Sequence, residues 1–177
     1  MRIRYRTSQF WKALSARPSR GQLALAQQTL IPELMTLFQK MQPSEQFHSL
    51  TIFERLIAEG EHDSDLLTAA LLHDVGKTRS PLRIWERVLI VIARRLFPSQ
   101  VVEWGKGQPR GWKRPFVVAE QHAAWGAEMV AAAGASNVTV GIIRCHHKPQ
   151  YSFSVPGTNH CPEEIMLFQL QALDQES

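Results

Sequence analysis

A histidine and an aspartate stand together at the end of a segment that should be buried. Residues 66–75 are apolar on almost every side of a helix, a pattern typical of a helix enclosed by protein, yet the segment carries His73 and Asp74 near its end. An ionised carboxylate buried without a partner costs several kcal/mol. A metal ion bound by the imidazole nitrogen and the carboxylate oxygen would remove that cost. The pair therefore predicts a metal site.

Four further ionisable residues lie on apolar helix faces and are predicted to point toward the interior of the domain: His48, His122, His146 and Asp174. Taken singly, each has an ordinary alternative. A lone histidine on an apolar face is more often a core residue with satisfied hydrogen bonds, and Asp174 lies close enough to the chain end for a frayed, solvated helix. Together, nitrogen and oxygen ligands without thiolate suit Mn²⁺, Fe, Mg²⁺, Co²⁺, Ni²⁺ or Zn²⁺. Six such ligands exceed the need of one tetrahedral ion and suit two ions that share a bridging carboxylate.

The elements that must position these residues are predicted to be helices throughout. The sequence has no convincing run of alternating β-branched residues and no Asn-Gly hairpin signal. Gly126, one turn after His122, predicts close approach of another helix, because glycine inside a helix usually has a packing reason. We therefore expect an all-α, single-domain helical bundle. Its helices are predicted at about 8–16, 22–41, 44–60 with Ser44 as N-cap, 64–76 with Ser64 as N-cap and Gly76 as its end, 82–97 closed by Pro98, 116–133, 136–147 with Ser136 as N-cap, and from Pro162 to the end.

Composition bounds the possible classes of protein. The 177 residues are 44% apolar, enough for one domain with a proper core, and the formal charge of +4 favours anionic ligands such as phosphates. Two cysteines, Cys145 and Cys161, do not suggest a disulfide framework, and we expect Cys145 to be a small buried apolar residue. No signal peptide is recognisable, and residues 88–93, the most lipid-like run, are far shorter than the roughly 20 residues of a membrane span. A cytoplasmic protein is the expectation.

Two segments have more than one interpretation. Residues 105–115 form a basic, aromatic loop that could bind a nucleotide or a lipid headgroup, although such loops are more often simply solvated. The helix at 82–97 is unusually apolar with arginines near both ends. It could rest on a membrane surface or a partner, but core packing is the expected role.

The order of the candidate ligands resembles that of the HD-domain metal-dependent phosphohydrolase superfamily. The first histidine lies in Phe47-His48-Ser49-Leu50, the His-Asp pair in residues 69–77, and a later histidine in Arg144-Cys145-His146. Among these proteins the chain is most similar to small stand-alone members such as the bacterial diadenosine tetraphosphate hydrolases. It departs from them at His147-Lys148-Pro149 and in a longer segment between Lys77 and His122, so the substrate stays open. It lacks the Gly-Tyr-Pro motif of the cyclic-di-GMP phosphodiesterases.

The resemblance implies specific roles for the matching residues. Residues 44–177 would form the HD domain and residues 1–43 a basic helical extension packed on it. The first metal would bind His48, His73, Asp74 and Asp174, and the second would bind His122 and His146, with Asp74 as the bridge and a catalytic residue. Lys77 would be catalytic or contact phosphate, although it could instead only offset a helix dipole. Arg79, Arg83 and His147 are further substrate-binding candidates, and either Lys77 or His147 could be the general acid.

The implied activity is hydrolysis of a phosphate ester or anhydride in a nucleotide or related metabolite, by water activated by one or two divalent ions. No specific nucleic-acid binding is expected. One alternative is a non-catalytic, nucleotide-binding regulator. Another is a structural zinc site formed by Cys145, His146, His147, His160 and Cys161.

Overall fold

The computed structural model describes residues 16–147 and 164–176, with side chains in the second range described for residues 166–174. The described residues contain nine α-helices and two short 3₁₀ helices, Val75–Arg79 and Gly111–Lys113, and no β-strand. The prediction of an all-α fold is confirmed. The α-helices are α1 Arg20–Thr29, α2 Pro32–Gln39, α3 Pro43–Ala58, α4 Ser64–Leu72, α5 Ile84–Leu96, α6 Pro98–Trp104, α7 Arg114–Ala132, α8 Asn137–Cys145 and α9 Glu164–Glu176.

Parts of the prediction lie outside the described residues: positions 8–15 of the helix expected at about 8–16, Pro162 at the start of the last helix, and His160 and Cys161. Residues 16–19 precede α1, and the Ser19 hydroxyl accepts a hydrogen bond from the Gln22 amide as its N-cap. The expected helix across 22–41 is wrong, because α1 ends at Thr29 and α2 begins at Pro32. Proline has no amide proton and its ring clashes with the preceding turn, so it begins a new helix here.

Helix starts also differ from the prediction. Gln42, not Ser44, is the N-cap of α3, and Asp63, not Ser64, caps α4 by accepting hydrogen bonds from two backbone amides at 2.9 and 3.0 Å. Ser136 caps α8 as predicted, with its hydroxyl accepting from the Thr139 amide at 3.0 Å. Pro98 follows α5 and also occupies the first turn of α6, a helix that was not predicted from the sequence.

The core surrounds α4. Leu66, Leu67 and residues 69–72 of this helix are all buried, as predicted, in one apolar cluster to which α1–α3 and α7–α9 contribute. A second cluster joins α5, α6 and α7 around Phe116 and Trp125. Because α4 is enclosed on nearly every side, the residues that follow it, His73 and Asp74, are held inside the bundle.

Gly76 has a different role from the predicted one. α4 ends at Leu72, and Gly76 lies in the 3₁₀ helix that follows. A Cβ atom on Gly76 would lie 1.9 Å from the carbonyl oxygen of His122 and 2.6 Å from the amide nitrogen of Gly126. A Cβ on Gly126 would in turn lie 3.2 Å from the amide nitrogen of Gly76, which confirms the predicted close approach at Gly126. The two glycines let the 3₁₀ helix pack backbone to backbone against α7.

The expected core packing of α5 is wrong for most of its apolar residues. Ile90 and Ala93 are buried, but Trp85, Val91 and Leu96 are exposed. None of the described helices is both long and apolar enough to cross a lipid bilayer.

Candidate metal centre

Three buried histidines share one arrangement. In His73, His122 and His146, Nδ1 lies 2.9, 3.0 and 2.6 Å from a carbonyl oxygen three or four residues earlier in the chain. A carbonyl oxygen only accepts, so Nδ1 donates and Nε2 carries a lone pair. This arrangement is typical of metal-binding histidines, because the backbone hydrogen bond fixes the ring and its tautomer.

The three Nε2 atoms face the carboxylate of Asp74. Nε2 of His73 lies 3.6 Å from Oδ2, and Nε2 of His122 and of His146 lie 3.3 and 4.0 Å from Oδ1. Each of these Nε2 atoms is buried and has no hydrogen-bond partner among the described residues. Three lone pairs and a carboxylate that converge in this way repel one another unless a cation lies between them. The residues present therefore fit a divalent metal ion.

His48 and Asp174 complete one side of the site. Nε2 of His48 donates to Oδ1 of Asp174 at 2.8 Å, and the same oxygen lies 3.7 Å from Nε2 of His73. α3 and α9 thus bring together residues 126 positions apart. The alternative of a frayed, solvated Asp174 is wrong, because its carboxylate is hydrogen-bonded and only 25% exposed.

The potential ligand atoms fall into two groups, and within each group they lie within 4.8 Å of one another. One group is His48, His73 and Asp74, and the other is His122, His146 and His147. Asp74 presents one oxygen toward His73 and the other toward His122, as a bridging carboxylate would. His147, predicted to bind substrate, lines the cavity described below, and its ring centroid also lies 4.6 Å from those of both His122 and His146. Its position next to His146 was the signal that could have identified it as a ligand candidate.

The structural zinc hypothesis receives no support from the described residues. Nε2 of His146 faces Asp74, within the group described above, and its Nδ1 is hydrogen-bonded to the backbone of α8. Cys145 is buried, as predicted, but it is disulfide-bonded, so its sulfur is not a free thiolate that could bind zinc. His160 and Cys161 lie outside the described residues.

The charge states suit a metal site. Burial by itself would raise the pKa of Asp74, but the charge of Lys77, followed by His73 and His122, holds it well below its ordinary value. Burial lowers the pKa of His122, and it lowers that of His146 further, helped by the charges of neighbouring histidines. Burial by itself would raise the pKa of Asp174, but the hydrogen bond from His48 and the charge of His73 together lower it. Ionised aspartates and neutral histidines are the forms that coordinate metals.

Lys77 reaches into the site instead of only offsetting a helix dipole. Its Nζ lies 2.5 Å from Oδ2 of Asp74, and its side chain is 23% exposed. It therefore neutralises part of the carboxylate charge and remains accessible from the adjoining cavity.

A cavity of about 400 Å³ opens directly onto these residues. It is lined by Ser44, Glu45, Phe47, His48, Thr51, Asp74, Lys77, Leu82, Arg87, Ile90, Arg94, Ala119, His122, His147 and Asp174. Its volume lies in the range of small-molecule sites. Its wall carries three cations, Lys77, Arg87 and Arg94, beside three carboxylates, Glu45, Asp74 and Asp174. Lysine and arginine side chains in such a wall suit a phosphorylated ligand.

Glu45, Arg87 and Arg94 were not predicted from the sequence. Nη2 of Arg87 donates to Oε1 of Glu45 at 2.6 Å and to Oε1 of Gln42 at 2.9 Å, linking α5 to the start of α3. Burial raises the pKa of Glu45, although the charge of Lys77 opposes this effect. Glu45 and Arg87 are 42 positions apart and look like ordinary helix-surface residues, so no local sequence signal marks them.

Arg79 and Arg83, predicted to bind substrate, are not among the residues that line the cavity. The Arg79 guanidinium lies 5.3 Å from the centre of the Trp125 ring, and its Nη1 is 3.5 Å from Oε2 of Glu128. Arg83 is the N-cap of α5, and its backbone amide donates to Glu86 at 2.7 Å. The 3₁₀ helix directs Lys77 into the site, and Arg79, two residues later, points away from it.

The pKa shifts of the histidines predict how the metal-free protein responds to pH. His122 and His146 have lowered pKa values in the folded state, so in acid the unfolded chain binds protons that the folded chain does not. We expect the free energy of unfolding to fall as pH drops from about 7 to about 5, by up to about 1.4 kcal/mol per pH unit for each histidine. Urea unfolding in a chelator would measure this slope. His146→Gln should reduce it, and His62→Gln, which changes an exposed histidine, should leave it unchanged.

Comparison with protein families gives one match. The HD domain family model matches residues 46–169, well over half of the 177-residue chain. Searches of curated proteins and of solved structures found no match. The matched range begins two residues before His48 and covers His73, Asp74, His122 and His146. The chain therefore belongs to the HD domain family, whose members are generally metal-dependent phosphohydrolases.

Proposed function

We propose that this protein hydrolyses a phosphate ester or anhydride in a nucleotide or related phosphorylated metabolite, using water activated by a divalent metal. The observation that carries the proposal is the convergence of three buried, unpartnered Nε2 atoms on the ionised carboxylate of Asp74. The accessible cavity beside this cluster, with Lys77, Arg87 and Arg94 in its wall, supports a phosphorylated substrate.

The ligand roles follow from the two groups of donor atoms. His48, His73, Asp74 and Asp174 would hold one ion, and the proton that His48 shares with Asp174 would have to leave Nε2 for that nitrogen to bind the ion. His122 and His146, with His147 beside them and Asp74 as the bridge, would hold a second ion. When bound, such ions supply a Lewis acid and bring the pKa of a coordinated water toward neutrality.

The cavity wall would orient the phosphoryl group. Lys77 presents a point charge beside Asp74, and Arg94 offers a guanidinium from α5. Arg87 is fixed by Glu45 and Gln42, so its position is set before substrate arrives, which limits the entropy lost on binding. Lys77 and His147 both line the cavity. Lys77 is the candidate for protonating the leaving oxygen, because burial lowers the pKa of His147 to about 3 and leaves it without a proton to donate near pH 7.

A non-catalytic regulator would use the same cavity and remains the competing function. The complete donor set favours catalysis, because binding a nucleotide by its phosphates requires far fewer than six converging ligands.

The test is a panel of nucleotides, dinucleoside polyphosphates, cyclic nucleotides and simple phosphate esters, assayed with Mn²⁺, Fe²⁺, Mg²⁺, Co²⁺, Ni²⁺ or Zn²⁺. We expect turnover of at least one compound that requires metal and is abolished by chelator and by His73→Ala. Arg79→Ala is the matched control, because it removes a side chain outside the cavity. Binding of a nucleotide without any turnover would favour the regulator.

A further inference from the structure

The faces of α5 are reversed relative to an ordinary surface helix. Its inner side carries Glu86, paired with Arg114, and Arg87, paired with Glu45, next to buried Ile90. Its outer side is apolar: Trp85 is 58% exposed, Val91 60%, Ile92 50% and Leu96 62%. Surface helices normally bury their apolar stripe and expose their charges, so this outer side has the character of an interface.

The apolar surface continues beyond α5. Phe97, at the end of the helix, is exposed, and its ring lies 6.2 Å from that of Trp104. Trp104 in turn lies 5.3 Å from Trp112, which is 62% exposed. We call this connected surface the α5 face and define it by Trp85, Val91, Ile92, Leu96, Phe97 and Trp112.

The surroundings of the α5 face are basic. Exposed cations within or next to it in sequence include Arg83, Arg95, Lys106, Arg110 and Lys113. Nζ of Lys113 lies 5.6 Å from the centre of the Trp112 ring. Between residues 83 and 114 the acidic residues are Glu86, which is buried, and Glu103, which is already paired with Lys106 at 2.5 Å.

We propose that the α5 face docks on an anionic lipid bilayer, with its apolar side chains inserted at the level of the headgroups. Exposed tryptophan and aliphatic side chains next to arginine and lysine suit this interface, where the rings enter the acyl boundary and the cations meet lipid phosphates. A second copy of the chain fits the α5 face less well, because association through it would bring two basic surfaces together. The proposal does not depend on the hydrolytic activity.

Co-sedimentation with vesicles tests the proposal. Wild-type protein should bind vesicles of phosphatidylcholine and phosphatidylglycerol in equal parts, should bind phosphatidylcholine alone much more weakly, and should be released by salt. A triple variant, Trp85→Gln, Ile92→Gln and Leu96→Gln, should lower the partition coefficient by roughly 100-fold, because it removes three apolar side chains that would insert. Arg95→Gln with Arg110→Gln and Lys113→Gln should lower it by roughly tenfold or more and weaken its dependence on salt.

Matched controls separate docking through the α5 face from nonspecific adsorption to vesicles through other exposed apolar residues. Leu25→Gln, Ile31→Gln and Ile57→Gln change three exposed apolar residues outside the α5 face and should leave vesicle binding as in wild type. All substituted side chains are exposed, so thermal unfolding should confirm that each variant is folded. The proposal is overturned if wild type does not bind the anionic vesicles or if the control triple loses binding equally. It is also overturned if wild type is a dimer that the α5 triple variant converts to a monomer while vesicle binding is unchanged.

Discussion

Asp74→Asn is expected to lower kcat/KM for the hydrolysed phosphate compound at least about 100-fold, more than is typical when a residue outside the coordination shell is lost. Asparagine keeps the shape of the side chain but removes the negative charge that His73, His122 and Lys77 surround. Without that charge, the two groups of donor atoms lose the carboxylate that lies between them. Steady-state kinetics at saturating metal would measure the effect.

Glu128→Gln is the matched control for this prediction. It makes the same chemical change at a carboxylate that is 65% exposed and paired with Arg79 away from the cavity, so its kcat/KM should equal that of wild type. If Asp74→Asn retains wild-type kcat/KM at every metal concentration, Asp74 is not a catalytic residue and the proposed mechanism is wrong.

Gly76→Ala is expected to destabilise the protein by about 3 kcal/mol, near the upper end of the range for overpacking. The added methyl carbon would lie 1.9 Å from the His122 carbonyl oxygen and 2.6 Å from the Gly126 amide nitrogen. Both are backbone atoms of α7 and cannot move aside like a flexible side chain. The 3₁₀ helix must shift instead, and that shift separates Asp74 from His122. Urea unfolding gives the change in free energy.

Gly21→Ala is the corresponding control. Gly21 lies in the first turn of α1, and the nearest atom to its added methyl would be the Ser19 hydroxyl oxygen at 3.9 Å. Alanine favours helix over glycine, so this variant should be as stable as wild type or more stable. Equal stability of the Gly76→Ala and Gly21→Ala variants would contradict the close packing described for the 3₁₀ helix.

The sequence was informative where a residue type conflicted with its local environment. Burying a histidine and an aspartate at the end of an all-apolar helix costs free energy unless the two side chains have a binding partner. That conflict marked His73 and Asp74 as candidate ligands. Gly126 was informative in the same way, since glycine inside a helix weakens it without a packing gain. These signals are local, and the structure places Asp74 and Gly126 at the contact between α7 and the segment after α4.

Other features depend on contacts that no local pattern records. Glu45 resembles a surface residue of a first helical turn, and only the approach of α5 buries it against Arg87. The apolar pattern of α5 is compatible with core packing, and only the tertiary arrangement shows that its charged side faces the cavity. Lys77 and Arg79 are both basic residues just after the His-Asp pair, and the 3₁₀ geometry alone directs them to different surroundings.

The central claim is that His73, His122, His146 and Asp74 converge because they hold metal. Elemental analysis of protein purified without added metal or chelator, compared with Asp74→Asn purified in parallel, tests it most directly. The account predicts one or two equivalents of a divalent transition metal or Mg²⁺ in wild type and a clear loss in the variant. Wild-type protein that contains no metal, and that binds none in a titration followed by calorimetry, would contradict it.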